Sequence, residues 1–521
     1  MKQRSVARAA VGMGGVTAVS RVAGFARVLV IAGVLGTTYL GNTFQAANSV
    51  SNVLFELLAA GALSAVLVPT FVSLIDAGDD READRLANGL LGYALVAMGV
   101  ITAAGMALSP LLARLLSSGA PNAHVGAQQR DLATFLLWFF LPQVLLYAFG
   151  AIATGLLYAR RRFAITAAAP MGSTVVMIVC FVAFRVLAGA NPGFDLSTAE
   201  KLLLAAAGTG GVIAYVGILV YAVRKAGFSV RPRWDRGDPA LSRFARLAVW
   251  GVLLHSGAGM LLGAAIVAGN GVAGGVIAYQ VAFTFFLAPY AVLAQPIHTA
   301  ILPEMSRDVA TGDLDAFARS IRWALDRMAW LVFPVSAGLV ALALPMMRLV
   351  AFGSATKTGP ALLAAGIASL ALGLYPYGAF LLLARSYYAL GDSRTPAIVA
   401  IGSALLGVAA MVVGTRMTHG AARVAALGIG HSSAYLVGVV ALGIGLRRRT
   451  GRSIVPRELP IAVAVSGAIA AVVWIAMRAL DPSGRVATVG SLALVGGVGT
   501  GVYALVVRRW WRSPGFVTSE V

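Results

Sequence analysis

Two arginines, Arg21 and Arg27, lie inside the first apolar stretch of the chain, in SRVAGFARV (Ser20–Val28), with Gly24 between them to loosen a helix. A charge held in a membrane span costs about 3 kcal/mol or more unless it faces water, a partner or a cavity, so such residues point toward function. At about 100° per residue the two guanidinium groups stand about 120° apart, and both can border one broad cavity. Snorkelling toward an interface is the alternative for either. The second apolar stretch carries Gln45, Asn48, Asn52 and Glu56 within about 80° on a helical wheel, a polar stripe through a span. Glu56 is a candidate counter-ion for Arg27 and would offset part of its burial cost. Interhelical hydrogen bonding is the competing explanation of the stripe. A later stretch repeats the pattern with Gln280, Thr284, Gln295 and His298 within about 60°, interrupted by Pro289 and Pro296, which invite bends. His298 reads more readily as a hydrogen-bonding residue than as a proton relay. His255 and His431 have no partner at metal-ligand spacing, so no metal is expected.

These side chains need helices to hold them. Of 521 residues 59% are hydrophobic and 12% charged, too apolar a mixture for a water-soluble domain to cover. Runs of about 20 apolar residues span a hydrocarbon core, and backbone groups in lipid must be satisfied within each segment, so the runs are helices. An all-α integral membrane protein is expected, with about fourteen spans near 10–36, 43–74, 89–117, 133–158, 163–189, 201–223, 241–269, 272–302, 317–352, 360–390, 395–415, 420–446, 459–479 and 486–507. The formal charge of +21 is spread through short connections and makes no nucleic-acid platform. The single cysteine, Cys180, sits in an apolar run and excludes an intramolecular disulfide. No P-loop or HExxH and no paired acidic cluster in an outer loop is present, where Asp131 and Asp195 are isolated acids, so a transporter rather than an enzyme is expected. It needs no cofactor and draws on the membrane potential, an ion gradient or an external partner.

The basic residues alternate between connections. Lys2, Arg4 and Arg8, then Arg160–Arg162, then Arg224, Lys225, Arg231, Arg233 and Arg236, then Arg447–Arg449, Arg452 and Arg457, and finally Arg508, Arg509 and Arg512 fall on one side. The positive-inside rule makes that side, with both termini, cytoplasmic. The acidic connection DAGDDREADR is the exception on that side. A faint internal echo pairs VLVPTFVS with AILPEMS and LLYARRRFAITAAAP with SYYALGDSRTPA, each offset by roughly 230 residues, as two parallel repeats would require. The expected domains are a six-helix lobe over 1–224, a basic connection over 225–240, a second six-helix lobe over 241–449, and two extra helices with a tail over 450–521.

SRVAGFARV, ANSVSNVLFELLAAGALSAVLVPTF (Ala47–Phe71) and LARSYYALGDSRTP (Leu383–Pro396) together resemble the MurJ/MviN family of lipid II flippases, part of the superfamily of multidrug, oligosaccharidyl-lipid and polysaccharide exporters. The resemblance implies two lobes around a V-shaped cavity that binds the diphosphate and sugar head group of lipid II and alternates its access. The lipid tail would ride outside, along a groove shaped by the last two helices. Arg21 and Arg27 match the family's cavity arginines, and guanidinium forks suit phosphate oxygens. Several positions depart from the family pattern: Val28 and Asn42 stand where acids are common, Phe55 and Glu56 where basic residues are usual, and Thr284 at a cavity arginine. The cavity is thus less cationic than in the family. Export of another lipid-linked polysaccharide, or an inactive scaffold recruiting cell-wall synthesis or division proteins, therefore stand as alternatives. The expected location is the bacterial cytoplasmic membrane.

Overall fold

Short polar side chains placed ahead of apolar runs set where the helices begin. Asn122 accepts from the Val125 amide at 2.9 Å, Asp79 from Glu82 at 3.0 Å and Asp313 from Ala316 at 2.7 Å, each satisfying an amide that the first helical turn leaves without a partner. Ser197 and Glu200 form a reciprocal capping box, with bonds of 3.3 Å to the Ser197 hydroxyl and 2.7 Å to the Glu200 carboxylate.

The computed structural model describes residues 19–20, 22–55, 68–234, 239–351, 353–355 and 359–511, and no strand occurs among them. Packing divides the chain into two units. The first, Met1–Ala278 with Phe352–Gly359 and Ala400–Val408, contains α1 (Val22–Leu35), α2 (Tyr39–Phe55), α3 (Val68–Asp76), α4 (Asp80–Ala107), α5 (Ser109–Leu116), α6 (Ala123–Phe140), α7 (Gln143–Ala159), α8 (Phe163–Ala188), α9 (Thr198–Lys225) and α10 (Pro239–Gly269). The second, Tyr279–Ala351, Pro360–Val399 and Ala409–Val521, holds most of α11 (Gly275–Pro289), then α12 (Gln295–Thr311), α13 (Leu314–Val350), nearly all of α14 (Gly359–Ala371), α15 (Leu374–Ala389), the two ends of α16 (Arg394–Met417), α17 (Gly420–Thr450), α18 (Leu459–Leu480) and α19 (Arg485–Trp511).

Among the described residues ten helices are long and apolar enough to cross a membrane, or eleven if α14 and α15, bent by 41°, count as one span. The remaining expected spans, 10–36, 43–74 and 241–269, include residues or side chains outside those described. Several boundaries differ from expectation. The run expected at 89–117 is two helices broken at Leu108, where Pro110 opens the second. The helix expected from 133 starts ten residues earlier, at the Asn122 cap. The interruption at Pro289 and Pro296 takes the form of a π-helical turn over Tyr290–Ala294, and the helix then runs on to Thr311 rather than ending near 302. Proline withholds an N–H from the ladder, and a widened turn absorbs the mismatch.

Three buried amides anchor the first unit at the ends of its helices. Asn42 Nδ2 donates to Asn270 Oδ1 at 3.2 Å and to the Val272 carbonyl at 2.8 Å, while its Oδ1 accepts from the Val276 amide at 3.0 Å. Gln129 exchanges two bonds of 2.9 Å with Asn270 and reaches the Thr43 hydroxyl at 3.1 Å. The network ties the turn after α10 to α2 and α6, which is why packing assigns residues up to Ala278 to the first unit. An apolar core around Phe71, Leu91, Leu156 and Leu219 joins α3, α4, α7 and α9. The acidic connection that stood out in the charge pattern has a local reason. Asp80 pairs with Arg160, and Asp84 holds the Ser229 amide and hydroxyl, both at 2.7 Å, so the acids fasten the basic connections on the same side.

The internal echo has a backbone counterpart. After α7, Arg160, Arg161 and Arg162 donate to the carbonyls of Leu156, Tyr158 and Leu157. After α15, Leu390, Gly391 and Asp392 donate to Ser386, Tyr388 and Tyr387, roughly 230 residues on, in the same pattern. Arg161 and Gly391 take the same left-handed position, with φ of 55° and 75°.

In the second of these turns Asp392 accepts from the Arg394 and Thr395 amides, each at 3.0 Å, and from the Thr395 hydroxyl at 2.7 Å, and pairs with Arg449 of α17. Partial burial works against its ionisation, but the Thr395 bonds and the Arg449 guanidinium outweigh it and hold the carboxyl below its ordinary range. A depressed carboxyl stabilises the fold fully above its unfolded pKa and loses that contribution as pH falls through the folded value. Asp392→Asn should therefore lower stability by about 1 kcal/mol at neutral pH, a figure already reduced for the exposed Arg449 partner. Thermal melting of the two proteins in nanodiscs should show a constant gap at neutral pH that closes only below the ordinary carboxylate range. A gap that is absent at pH 7 would remove the assignment.

Candidate functional site

The first unit brings three of its helices to one polar cluster. Arg27 lies on α1, six residues into an apolar helix whose next residues, from Ile31, are buried. Its guanidinium is within electrostatic reach of Tyr147 on α7. The Tyr147 hydroxyl donates to Asn52 Oδ1 on α2 at 2.8 Å. One turn earlier on α7, Gln143 accepts from the Ser51 hydroxyl at 3.1 Å and donates to Thr209 at 3.0 Å. The polar stripe of α2 thus meets a second one on α7, whose spacing of four residues keeps Gln143 and Tyr147 on one face. Among the described residues no hydrogen bond or ion pair holds the Arg27 guanidinium. A cation in an apolar span without a protein partner must be solvated by water or matched by an anion. Asn48 is half-buried on the same helix as Asn52, and its carbonyl accepts from the Ser51 hydroxyl at 3.1 Å. Arg21 and Glu56 lie outside the described residues, and so does the expected Glu56–Arg27 pair.

The stripe expected on the eighth span does not stay together. Gln280 is half-buried, and its carbonyl accepts the Thr284 hydroxyl at 3.0 Å, so Thr284 bonds to its own helix. The π turn then shifts the register, leaving Gln295 exposed and His298 fully buried. His298 is enclosed by Tyr290, at 3.4 Å from Nδ1, and Met328, at 3.2 Å from Nε2, so it packs inside the second unit rather than facing a cavity. A helical wheel assumes 3.6 residues per turn, and one π turn is enough to defeat it.

Two residues escaped sequence reasoning. Tyr147 carries no polar signal in an apolar helix and is recognisable only from its bond to Asn52. Arg385 is an arginine inside the span 360–390, and its charge there was a readable signal. Its Nη1 is buried without a hydrogen-bond partner. A groove of about 320 Å³ runs between α18 and α19, lined by apolar side chains that include Ile469, Val472, Val473, Leu494 and Val498.

Comparison with known proteins bears on the same molecule. A family model described as lipid II flippase MurJ matches residues 31–495. Probable lipid II flippase MurJ of Rhizobium tropici is 27% identical over 409 residues, covering 77% of this chain and 75% of that protein. The corresponding protein of Vibrio cholerae is 28% identical over 391 residues, with 73% and 72% covered. Lipid II flippase MurJ of Burkholderia cenocepacia is 24% identical over 449 residues, with 85% and 84% covered. A solved structure of lipid II flippase MurJ in an inward closed conformation has a TM-score of 0.75 at 17% identity and covers 96% of this chain and 99% of that one. An inward-facing multidrug resistance MATE family transporter of the MOP superfamily reaches 0.64 at 14% identity, covering 85% and 98%. At those identities the structural likeness establishes the fold, whereas the family model spans most of the sequence. The chain belongs to the lipid II flippase MurJ family.

Proposed function

We propose that this chain is an alternating-access flippase that moves lipid II, a lipid-linked diphosphate glycan, from the inner to the outer leaflet of a bacterial cytoplasmic membrane. The carrying observation is Arg27, a cation within a span with no bonded protein partner among the described residues, beside a Tyr147–Asn52 pair. A diphosphate supplies what the guanidinium lacks, since paired phosphate oxygens match its fork. Arg21 is assigned to the same anion. Asn48 and Asn52 are assigned to the sugars, and Glu56, outside the described residues, is assigned to the same cavity. On the eighth span Gln280, Thr284 and Gln295 are assigned to the second lobe's share of the path, and His298 supports it from within. The groove between α18 and α19 suits a polyprenyl tail, because its lining is apolar. The two lobes would alternate access to the path, with the helices of 450–521 carrying the tail. The distribution of Lys and Arg supports a cytoplasmic location for both termini. Transport draws on the membrane potential or an ion gradient and uses no cofactor, and cell-wall synthesis or division proteins are the fitting partners.

The test is complementation of a strain depleted of its own lipid II flippase. Expression of this chain should restore growth and the appearance of lipid II in the outer leaflet. If the protein is correctly inserted and growth is not restored, lipid II is not its cargo. Co-purification with wall-synthesis enzymes in that case points to the scaffold, and crosslinking to a different lipid-linked glycan points to another exporter.

A further inference from the structure

Arg385 is one helical turn from the end of α15, in a helix that is otherwise apolar or aromatic up to that point. Its Nη1 is buried and has no hydrogen-bond partner. No carboxylate among the described residues pairs with it. An arginine that simply snorkelled would carry its whole head into water, and this one does not. Tyr290, His298 and Tyr388 are among the groups within electrostatic reach of the guanidinium. All three are neutral hydrogen-bonding groups rather than counter-ions. Tyr290 opens the π turn between α11 and α12, a departure from α geometry that recurs at functional sites. Its ring packs against Tyr377 at 4.7 Å and His298 at 5.7 Å between centroids, which fixes it in place. Tyr388, one turn after Arg385 on the same helix, is 40% exposed, so the cluster opens on one side. A rigid fork with an orphaned N–H, beside the partly exposed Tyr388 phenol that can donate, is a receptor for an oxyanion.

We infer that Arg385, with the phenol of Tyr388 and beside the buried Tyr290–His298 pair, forms a phosphate-binding subsite in the second unit, distinct in its residues from the Arg27 cluster of the first. The subsite rests on the flippase reading for its ligand, the phosphate of a polyprenyl diphosphate. Its depth suits capture of a head group: Arg385 is about 6 Å of helix from the end of α15, on the side that carries Asp392, Arg394 and Arg449. That is the basic side, where a lipid-linked anion enters from the inner leaflet.

The experiment is equilibrium binding of farnesyl diphosphate to the full chain in nanodiscs of phosphatidylcholine, with farnesol as the uncharged control. Arg385→Gln should weaken farnesyl diphosphate roughly ten-fold or more and leave farnesol unchanged. Arg385→Lys keeps the charge without the fork and should bind several-fold more weakly than the parent at parental thermal stability, which serves as the test if the glutamine variant does not fold. Parent-like affinity in the folded Arg385→Gln protein, or in Arg385→Lys if only that variant folds, overturns the subsite. If Arg27→Gln loses binding while Arg385→Gln keeps it, the subsite fails and the flippase reading stands. If Arg385 governs diphosphate affinity but the parent chain does not rescue a flippase-depleted strain, the subsite stands and the flippase reading fails.

Discussion

Arg27→Ala should abolish rescue of a flippase-depleted strain while leaving the amount of protein in the membrane unchanged. Removing one member of a buried, charge-assisted contact costs about 2–5 kcal/mol, which corresponds to roughly 30-fold or more in affinity for the bound anion. The sign of the stability effect separates this from a folding defect. No hydrogen bond or ion pair to the guanidinium occurs among the described residues, so truncation orphans no described partner and removes an expensive intramembrane charge. The melting temperature of the alanine variant should therefore equal or exceed that of the parent. Arg27→Lys retains a positive charge without the planar fork and should show partial rescue. Full rescue by Arg27→Ala would show that the anion is held elsewhere, and the Arg27–Tyr147–Asn52 cluster would then be packing alone.

Gly274→Ala should cost the fold roughly 3 kcal/mol or more, combining a left-handed backbone with overpacking. Gly274 sits in the turn between α10 and α11 with φ +76°, and a β-carbon there would lie far inside contact distance of Thr37, with the Thr37 carbonyl carbon at 2.6 Å. The obstructing atoms include main chain, so a side-chain rotation cannot relieve them. The same turn carries Asn270 into the bonds with Asn42 and Gln129, and displacing it would leave three buried amides short of partners. Thermal melting in nanodiscs, with yield from the membrane as a second readout, checks this. An alanine variant with parental melting would mean that the turn and Thr37 are not in close approach.

Asn42 shows how a departure from the family pattern acquires a physical reason. An acid is common in the family at this position, but here the side chain both donates, to Asn270 and Val272, and accepts, from Val276. An ionised carboxylate accepts only, so it would leave the Asn270 oxygen and the Val272 carbonyl facing a negative charge. Whatever an acid does elsewhere in the family, this site is built around an amide.

Sequence alone determined the all-helical membrane architecture, because apolar runs of span length leave the backbone no other way to satisfy its hydrogen bonds in lipid. It also determined that Arg27 stands in an apolar helix, and the echo between the turns at 160–162 and 390–392, since hydropathy and turn chemistry are local properties. The tertiary structure decided which polar residues meet. Asn52 joins Tyr147 across about a hundred residues of chain, a pairing with no trace in helical periodicity. It also broke up the stripe on the eighth span, because the π turn after Pro289 rotated His298 into the packing against Met328 while Gln295 stayed exposed. A wheel projection carries a regular helix faithfully only as far as the first irregular turn, and the partners of a buried polar group are set by the helix packed beside it.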